Sequence, residues 1–392
     1  MAQPSSAAHH RHRASLEHII YFSPTQELSV DQRRRARSLF YNVVNHFSDL
    51  DDDASNRDYK RALLLRYTLE YSRSEISQDT FLRAFFNSVE LDSIDQEIDV
   101  DWNNKLLENS LRLKLIEFAD FLLDNFFLPL KATGKTTPQP SPAPLSAVQR
   151  ALGGEQDYLG TPDRLSTLRG LCLLRDRYRC VISRKFDTIE LGQRLRRAAN
   201  ARDEDGELLL GQPNESVEVA HIIPHALMKG EGNLQLTESK KAAVAILDMF
   251  DCGIARIIEG SEIDRPFNAL TMTHTLHSLF GNFMVYFMPI TDQPHTYRID
   301  TFYPAGMVQD LPVTRTLYLT EDHNIDPPLP RLLAIHSAIC HILHLSAAGE
   351  YIDKVLEDIE KITQQNGSTE LGRLVSLGLN GWLDGAIRTG CR

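Results

Sequence analysis

Apolar side chains recur at helical spacing through the first third of the chain. Ser29 and Gln32 fit a capping box, and Leu39, Val43 and Phe47 follow at intervals that place them on one helix face. The spacing therefore predicts a helix that begins at Ser29. Similar patterns predict three more helices, near residues 57–72, 79–88 and 102–128.

A proline-rich stretch interrupts this helical pattern. Pro138, Pro140, Pro142 and Pro144 stand among threonine, serine and glutamine, a composition that cannot bury a core and favours an extended linker. We therefore expect a disordered tail at residues 1–28, a helical N-terminal region at 29–131 and a linker at 132–150.

Short strands enter the pattern after Leu165. A helix through Leu168, Leu171 and Leu174 precedes an apolar run at residues 178–182, which predicts a strand. Residues 217–224 alternate and end at a proline, as expected of a strand that leaves a sheet. Residues 265–270 are predicted to be a loop that leads into a helix carrying His274 and His277. The remaining predicted elements are a helix near 239–250, strands at 283–287 and 296–302, and helices at 331–346 and 351–362.

These elements indicate the α+β class, with one mixed domain at residues 151–310 and a C-terminal helical extension at 311–392. The composition agrees, since 42% of the residues are hydrophobic and 24% are charged, which is ordinary for a globular protein.

The five cysteines include no CxxC pair, so we expect a reduced, intracellular protein without disulfides. Nucleus and cytoplasm are not distinguished. No apolar run is long and uncharged enough to predict a membrane span.

Charge is distributed unevenly along the chain. The net charge of −11 argues against a passive nucleic-acid coat, but the relevant charge is that of one face. Residues 164–197 contain ten basic and three acidic side chains. This segment predicts nucleic-acid contact, with the alternative that its arginines form salt bridges or solvate a helix. The candidates for nucleic-acid contact are Arg175, Arg177, Arg179, Arg184 and Lys185.

Three residues form a pattern that indicates a candidate catalytic site. His221 ends the strand that leads into Ile-Ile-Pro, Asn268 follows, and His277 lies nine residues after Asn268. These residues and their flanking strings, VAHIIP at 219–224 and NAL…LHSLFG at 268–281, resemble the HNH endonuclease family, in particular the subgroup common in fungal proteins. The resemblance covers roughly residues 165–371 and does not extend to the N-terminal helices.

The resemblance implies a ββα-metal core that hydrolyses phosphodiester bonds in DNA, or less readily in RNA. It implies that His221 is the general base, that Asn268 fixes the orientation of that base, and that His277 ligates one divalent metal ion. Histidine suits proton abstraction near neutral pH, and a divalent cation suits neutralisation of the phosphate charge. The ion could be Mg²⁺, Mn²⁺, Ni²⁺ or Zn²⁺.

The sequence departs from the family pattern beside the base. Many HNH domains place an Asp or His there as a second metal ligand, whereas this chain has Ala220. Glu218, on the same strand face as Ala220, and His274, three residues before His277, are the candidate replacements, with His225 a weaker third. The cysteine pairs of many HNH domains are also missing, with Thr273 and Leu276 in the corresponding places.

Ala220 therefore leaves an alternative open, in which a degenerate HNH fold serves as a non-catalytic module that binds nucleic acid or protein. The N-terminal helices are a candidate surface for a protein partner, and the oligomeric state stays open.

Overall fold

The computed structural model describes residues 27–51, 59–91, 99–134, 139–141, 161–228, 236–320 and 324–366. It combines helices with three small sheets, which confirms the α+β class. Residues 1–26 of the predicted tail and much of the predicted linker lie outside the described residues.

The described residues fall into two compact units that are discontinuous in sequence. The first draws on Met1–Pro129, Lys229–Ala255 and His341–Arg392, and the second on Leu130–Met228 and Arg256–Cys340. The domain boundaries expected from the sequence stay predictions.

Helices dominate the first unit and also frame the second. They are α1 Val30–Asp51, α2 Arg61–Glu70, α3 Glu75–Val89, α4 Lys105–Leu122, α5 Leu128–Gly134, α6 Thr161–Arg175, α7 Thr188–Arg197, α8 Glu238–Phe250, α9 Ile254–Ile257, α10 His274–Gly281, α11 Pro330–Leu345 and α12 Ala348–Asn366. A π-helical turn, Leu123–Phe127, joins α4 to α5. None of the described helices alone is long and apolar enough to cross a membrane, although the bent pair Pro330–Leu345 and Ala348–Glu357 passes by length and composition.

Capping and aromatic packing explain the helices of the first unit. The predicted capping box forms at the start of α1, because the Gln32 N–H donates to Ser29 Oγ at 3.2 Å and the Ser29 N–H donates to Gln32 Oε1 at 2.9 Å. The core beneath α1 is aromatic: the Phe40 ring lies edge-on to Phe81 at 5.7 Å and to Phe85 at 4.9 Å.

The second unit contains the strands, which are β1 Phe186–Asp187, β2 Asn214–Glu215, β3 Val217–His221, β4 Ala269–Thr273, β5 Val285–Pro289, β6 Thr296–Thr301 and β7 Val313–Thr316. Strands β3 and β4 are antiparallel, with Val217 opposite Thr273 and His221 opposite Ala269. Helix α6 packs on this pair, since Leu168 and Cys172 share a buried cluster with Val219 and Ala269. Strands β5, β6 and β7 form a separate antiparallel sheet, of which β7 was not predicted.

Two local predictions were wrong. Residues 178–182 form a turn with an isolated bridge between Arg179 and Phe186, because the Cys180 N–H donates to the Lys185 carbonyl and closes the turn. Residues 265–270 do not lead directly into a helix. A 3₁₀ turn, Pro266–Asn268, is followed by the fully buried strand β4, and only then by α10. Pairing with β3 therefore decides the conformation of this segment.

Candidate functional site

Asn268 is a fully buried link between three backbone segments. Its Oδ1 accepts the Ile223 N–H at 2.9 Å, and its Nδ2 donates to the carbonyls of Ile223 and Ile263, each at 2.9 Å. The Asn268 backbone carbonyl also accepts the Ile222 N–H at 2.8 Å. Asn268 thereby fixes the two residues that directly follow His221.

His221 lies at the end of β3 and its side chain is 1% exposed. Its Nε2 is 3.2 Å from Asp264 Oδ1, and the same oxygen lies 2.7 Å from His225 Nδ1. Arg164 contacts the other oxygen of Asp264, with 3.2 Å between Nε and Oδ2. No sequence pattern predicted Asp264 at this position, and His225 is the weakest of the ligand candidates from the sequence.

The charge states of this group follow from burial and hydrogen bonding. Burial lowers the pKa of His221 and outweighs the opposing effect of the Asp264 carboxylate. Burial alone would raise the pKa of Asp264, but hydrogen bonds from His221 and His225 hold that pKa well below its usual range. At neutral pH the pair is therefore a neutral imidazole beside an ionised carboxylate, which accepts the Nε2–H of His221.

His277 forms a second imidazole–carboxylate pair. Its Nδ1 lies 2.6 Å from Glu218 Oε2, while His274 Nδ1 lies 3.0 Å from Glu218 Oε1. His277 is 4% exposed, whereas His274 is 77% exposed. Burial would raise the pKa of Glu218, but the hydrogen bonds from His277 and His274 lower it overall. The structure thus brings together all three residues that the sequence suggested for the metal site.

His221 and His277 each have one ring nitrogen without a hydrogen-bond partner in the described part of the chain. Among the described residues, Nδ1 of His221 and Nε2 of His277 are buried without a hydrogen-bond partner. A buried polar atom without a partner has a free-energy cost, so such atoms in a native fold point to a function or to an absent ligand. His277 is also near enough to His221 to contribute electrostatically to the lowered pKa of His221.

A group that could hold a metal ion also exists in this region. One ligand atom each from His221, His225 and Asp264 lie within 4.8 Å of one another. Two imidazoles and a carboxylate suit Zn²⁺, Mn²⁺ or Ni²⁺.

Arg175, a candidate for nucleic-acid contact, lies in the interior instead. Its side chain is fully buried and binds both oxygens of Asp176, with Nε to Oδ1 at 2.8 Å and Nη2 to Oδ2 at 2.9 Å. It also donates to the carbonyls of Pro266 at 2.7 Å and Ala269 at 2.8 Å, on either side of Asn268. The structure therefore uses Arg175 to hold the segment that carries Asn268.

Three of the other basic candidates are paired with carboxylates. Arg177 contacts Asp205, Arg179 Nη2 lies 2.7 Å from Asp203 Oδ2, and Lys185 Nζ lies 2.9 Å from Glu215 Oε2. Arg184 instead donates to the Thr316 carbonyl. Much of the positive charge that the sequence suggested for phosphate contact is thus neutralised within the fold.

Comparison with known proteins gives one match. Residues 180–288 match the family model described as HNH endonuclease, and that segment contains Glu218, His221, Asp264, Asn268 and His277. No curated protein and no solved structure matches the chain. Residues 180–288 are thus similar to the HNH endonucleases, which supports nuclease activity in general, nucleic-acid binding and the use of a divalent metal ion.

Proposed function

We propose that this protein is a metal-dependent endonuclease that hydrolyses phosphodiester bonds in DNA, with His221 as its general base. The observation that carries the proposal is the buried Nδ1 of His221, which has no hydrogen-bond partner among the described residues, on a ring whose Nε2 is held by Asp264. The subgroup common in fungal proteins stays a prediction, and RNA is the second substrate to be tested.

The hydrogen bond to Asp264 defines how His221 would act. The ionised carboxylate accepts the Nε2–H, which leaves the Nδ1 lone pair as the basic position of the ring. A neutral imidazole can take a proton from an attacking water, and the adjacent carboxylate then stabilises the imidazolium that forms. Asp264 is thus a positioning residue for the base.

His277 is the residue whose surroundings best fit a metal ligand. Histidines that bind metals usually donate their other ring N–H to a carboxylate, and His277 Nδ1 has that relationship to Glu218. Its buried Nε2 then remains as the ligand atom. The bound ion would neutralise charge on the phosphate and assist the leaving oxygen.

In this assignment Glu218 orients ligands and need not bind the ion itself. Its two oxygens are engaged by His274 and His277. Strands β3 and β4 with helix α10 supply the two strands and the helix of the proposed ββα core.

The group of His221, His225 and Asp264 is a second candidate for the metal site. An ion at this group would take the Nε2 lone pair of His221. The ring proton would then sit on Nδ1, which is buried and has no acceptor among the described residues. Because such a donor is costly, we favour His277 as the ligand.

A second function is favoured by Ala220, which is buried in β3 and cannot ligate a metal. In that case the HNH-like domain would bind nucleic acid or protein without catalysis.

One experiment separates the two functions. The purified full chain is incubated with plasmid DNA, single-stranded DNA and RNA in Mg²⁺, Mn²⁺, Ni²⁺ or EDTA, beside His221→Ala. Cleavage of DNA that needs the metal and that His221→Ala lacks supports the nuclease. Absence of cleavage in every metal, or equal cleavage by the variant, rejects it in favour of the binding module.

A further inference from the structure

Two arginines beside the turn at residues 180–184 form no ion pair with a carboxylate of the described residues. Among the described residues, neither Arg184 nor Arg315 has an acidic side chain within ion-pair distance. Arg184 donates to the Thr316 carbonyl, and Arg315 Nε donates to the Ile182 carbonyl at 2.6 Å. Backbone carbonyls therefore hold both guanidinium groups in place without a carboxylate partner among the described residues.

The two cations are close enough to repel each other. Burial lowers the pKa of the Arg184 guanidinium, Tyr318 and the more weakly acting Asp176 raise that pKa, and the charge of Arg315 lowers it. Arg184 Nη1 is buried without an acceptor in the described part of the chain. A bound anion would stabilise a cationic donor that lacks an acceptor and lies beside a like charge.

Tyr318 orders the donors on this surface. The guanidinium carbon of Arg184 lies 4.1 Å from the ring centroid of Tyr318, and that of Arg177 lies 4.9 Å from it. Stacking occupies the face of a guanidinium and leaves its N–H edge available for hydrogen bonds to phosphate oxygens. The Arg177 charge is already paired with Asp205, whereas Arg184 and Arg315 have no carboxylate within ion-pair distance in the described part of the chain.

The turn that carries Arg184 is fixed to the strand pair of the candidate site. The Val181 N–H donates to the Thr271 carbonyl at 2.8 Å, and Thr271 lies opposite Val219 in the pairing of β4 with β3. Because β3 ends in His221, one framework holds the candidate base together with Arg184 and Arg315.

From this arrangement we propose that Arg184 and Arg315, ordered by Tyr318, form a subsite for the phosphodiester backbone of double-stranded DNA. The subsite rests on the proposed function and deepens it, because it assigns substrate contacts to Arg315 and Tyr318. Each arginine contacts one phosphate, so the two neutralise two phosphates of the bound duplex.

The test is the salt dependence of DNA binding by the full chain. Binding of a short fluorescein-labelled duplex is measured by anisotropy in EDTA, which prevents metal-dependent cleavage, over a range of NaCl concentrations. Each phosphate contact that is lost should reduce the slope of log K against log salt by about 0.9. We expect this reduction in Arg184→Gln and in Arg315→Gln.

Lys185→Gln is the matched control, because it removes the same charge from the same turn at a residue that Glu215 already pairs. Its slope should equal that of the parent. Arg315→Lys separates the effect of charge from the effect of stability, because it retains the charge but loses the hydrogen bond from Nε to the Ile182 carbonyl. It should keep the parental slope even if its Tm falls. Thermal unfolding is recorded for every variant.

The outcomes are distinct from those of the cleavage experiment. Unchanged slopes in both glutamine variants, an equal reduction in Lys185→Gln, or absence of measurable duplex binding would overturn the subsite. The expected slopes in a protein that cleaves nothing would support the subsite and reject the nuclease. Cleavage with unchanged slopes would reject the subsite alone.

Discussion

His221 Nε2 lies 3.2 Å from Asp264 Oδ1, a contact between residues separated by 43 positions that no local sequence pattern indicated. It decides which nitrogen of the histidine carries the proton, because an ionised carboxylate can only accept. The tautomer of His221 is thereby fixed before any substrate binds.

Substitution of Asp264 by Asn tests this relationship. An amide can donate to Nε2, which would place the ring proton on Nδ1 and remove the basic position. We expect the single-turnover cleavage rate to fall by a factor on the order of 10²–10⁴. The rate is measured on plasmid DNA, and ¹⁵N spectra of the histidine ring report the tautomer.

The control is Asp300→Asn, which removes a carboxylate paired with Arg298 in β6 of the same unit. It should cleave at the parental rate. A folded Asp264→Asn protein with parental activity and an unchanged tautomer would contradict the role of Asp264.

Metal binding distinguishes the two candidate sites. If His277 Nε2 is the ligand atom, His277→Ala should abolish binding of Mn²⁺ or Co²⁺ in titration calorimetry, and His225→Ala should retain it. Glu218→Gln should weaken binding by roughly 10–100-fold, because it removes the carboxylate that orients His277. The opposite pattern, with loss in His225→Ala and retention in His277→Ala, would place the ion at the group of His221, His225 and Asp264.

The sequence predicted the motif residues better than their surroundings. His221 and Asn268 were identified from spacing and resemblance, and the structure places both at the β3–β4 pair. Asp264 was missed because its contact with His221 depends on how the 3₁₀ turn Gly260–Asp264 folds back onto the end of β3. A single sequence contains no signal of such a tertiary contact.

The basic segment at residues 164–197 shows a second reason why the sequence alone was insufficient. A count of charges cannot distinguish an arginine that faces solvent from one that is buried and hydrogen-bonded within the protein. Arg175 is followed directly by Asp176, and only the fold shows that this pair is buried and joined to the backbone on both sides of Asn268.

Arg175→Met should therefore destabilise the protein strongly. The change leaves the buried Asp176 carboxylate without its cation and frees the Pro266 and Ala269 carbonyls, a loss of about 3–5 kcal/mol in the free energy of unfolding. Arg177→Met is the matched control, because its partner Asp205 is 55% exposed and such pairs contribute about 0–1 kcal/mol. Urea denaturation measures both values, and equal effects of the two changes would contradict the structural role of Arg175.

His336 should make stability depend on pH. The ring is buried, stacks on Phe280 with 3.8 Å between centroids, and donates its Nε2–H to the Phe280 carbonyl at 3.1 Å. Burial lowers its pKa to about 3 in the folded protein, whereas an unfolded histidine titrates near about 6.5. Between these two values the unfolded chain binds the additional proton. The stabilising contribution is therefore complete above about pH 6.5 and decreases as the pH falls toward 3, by up to about 1.4 kcal/mol per pH unit.

The measurement compares the parent with His336→Phe, which keeps an aromatic ring against Phe280 but cannot be protonated. Urea unfolding at pH 7 and at pH 4.5 should show a smaller acid-induced loss of stability in the variant. His344→Gln, at an exposed histidine of the same helix, is the control and should lose stability as the parent does. If His336→Phe lost as much stability on acidification as the parent, a histidine other than His336, or the carboxylates, would account for the acid sensitivity.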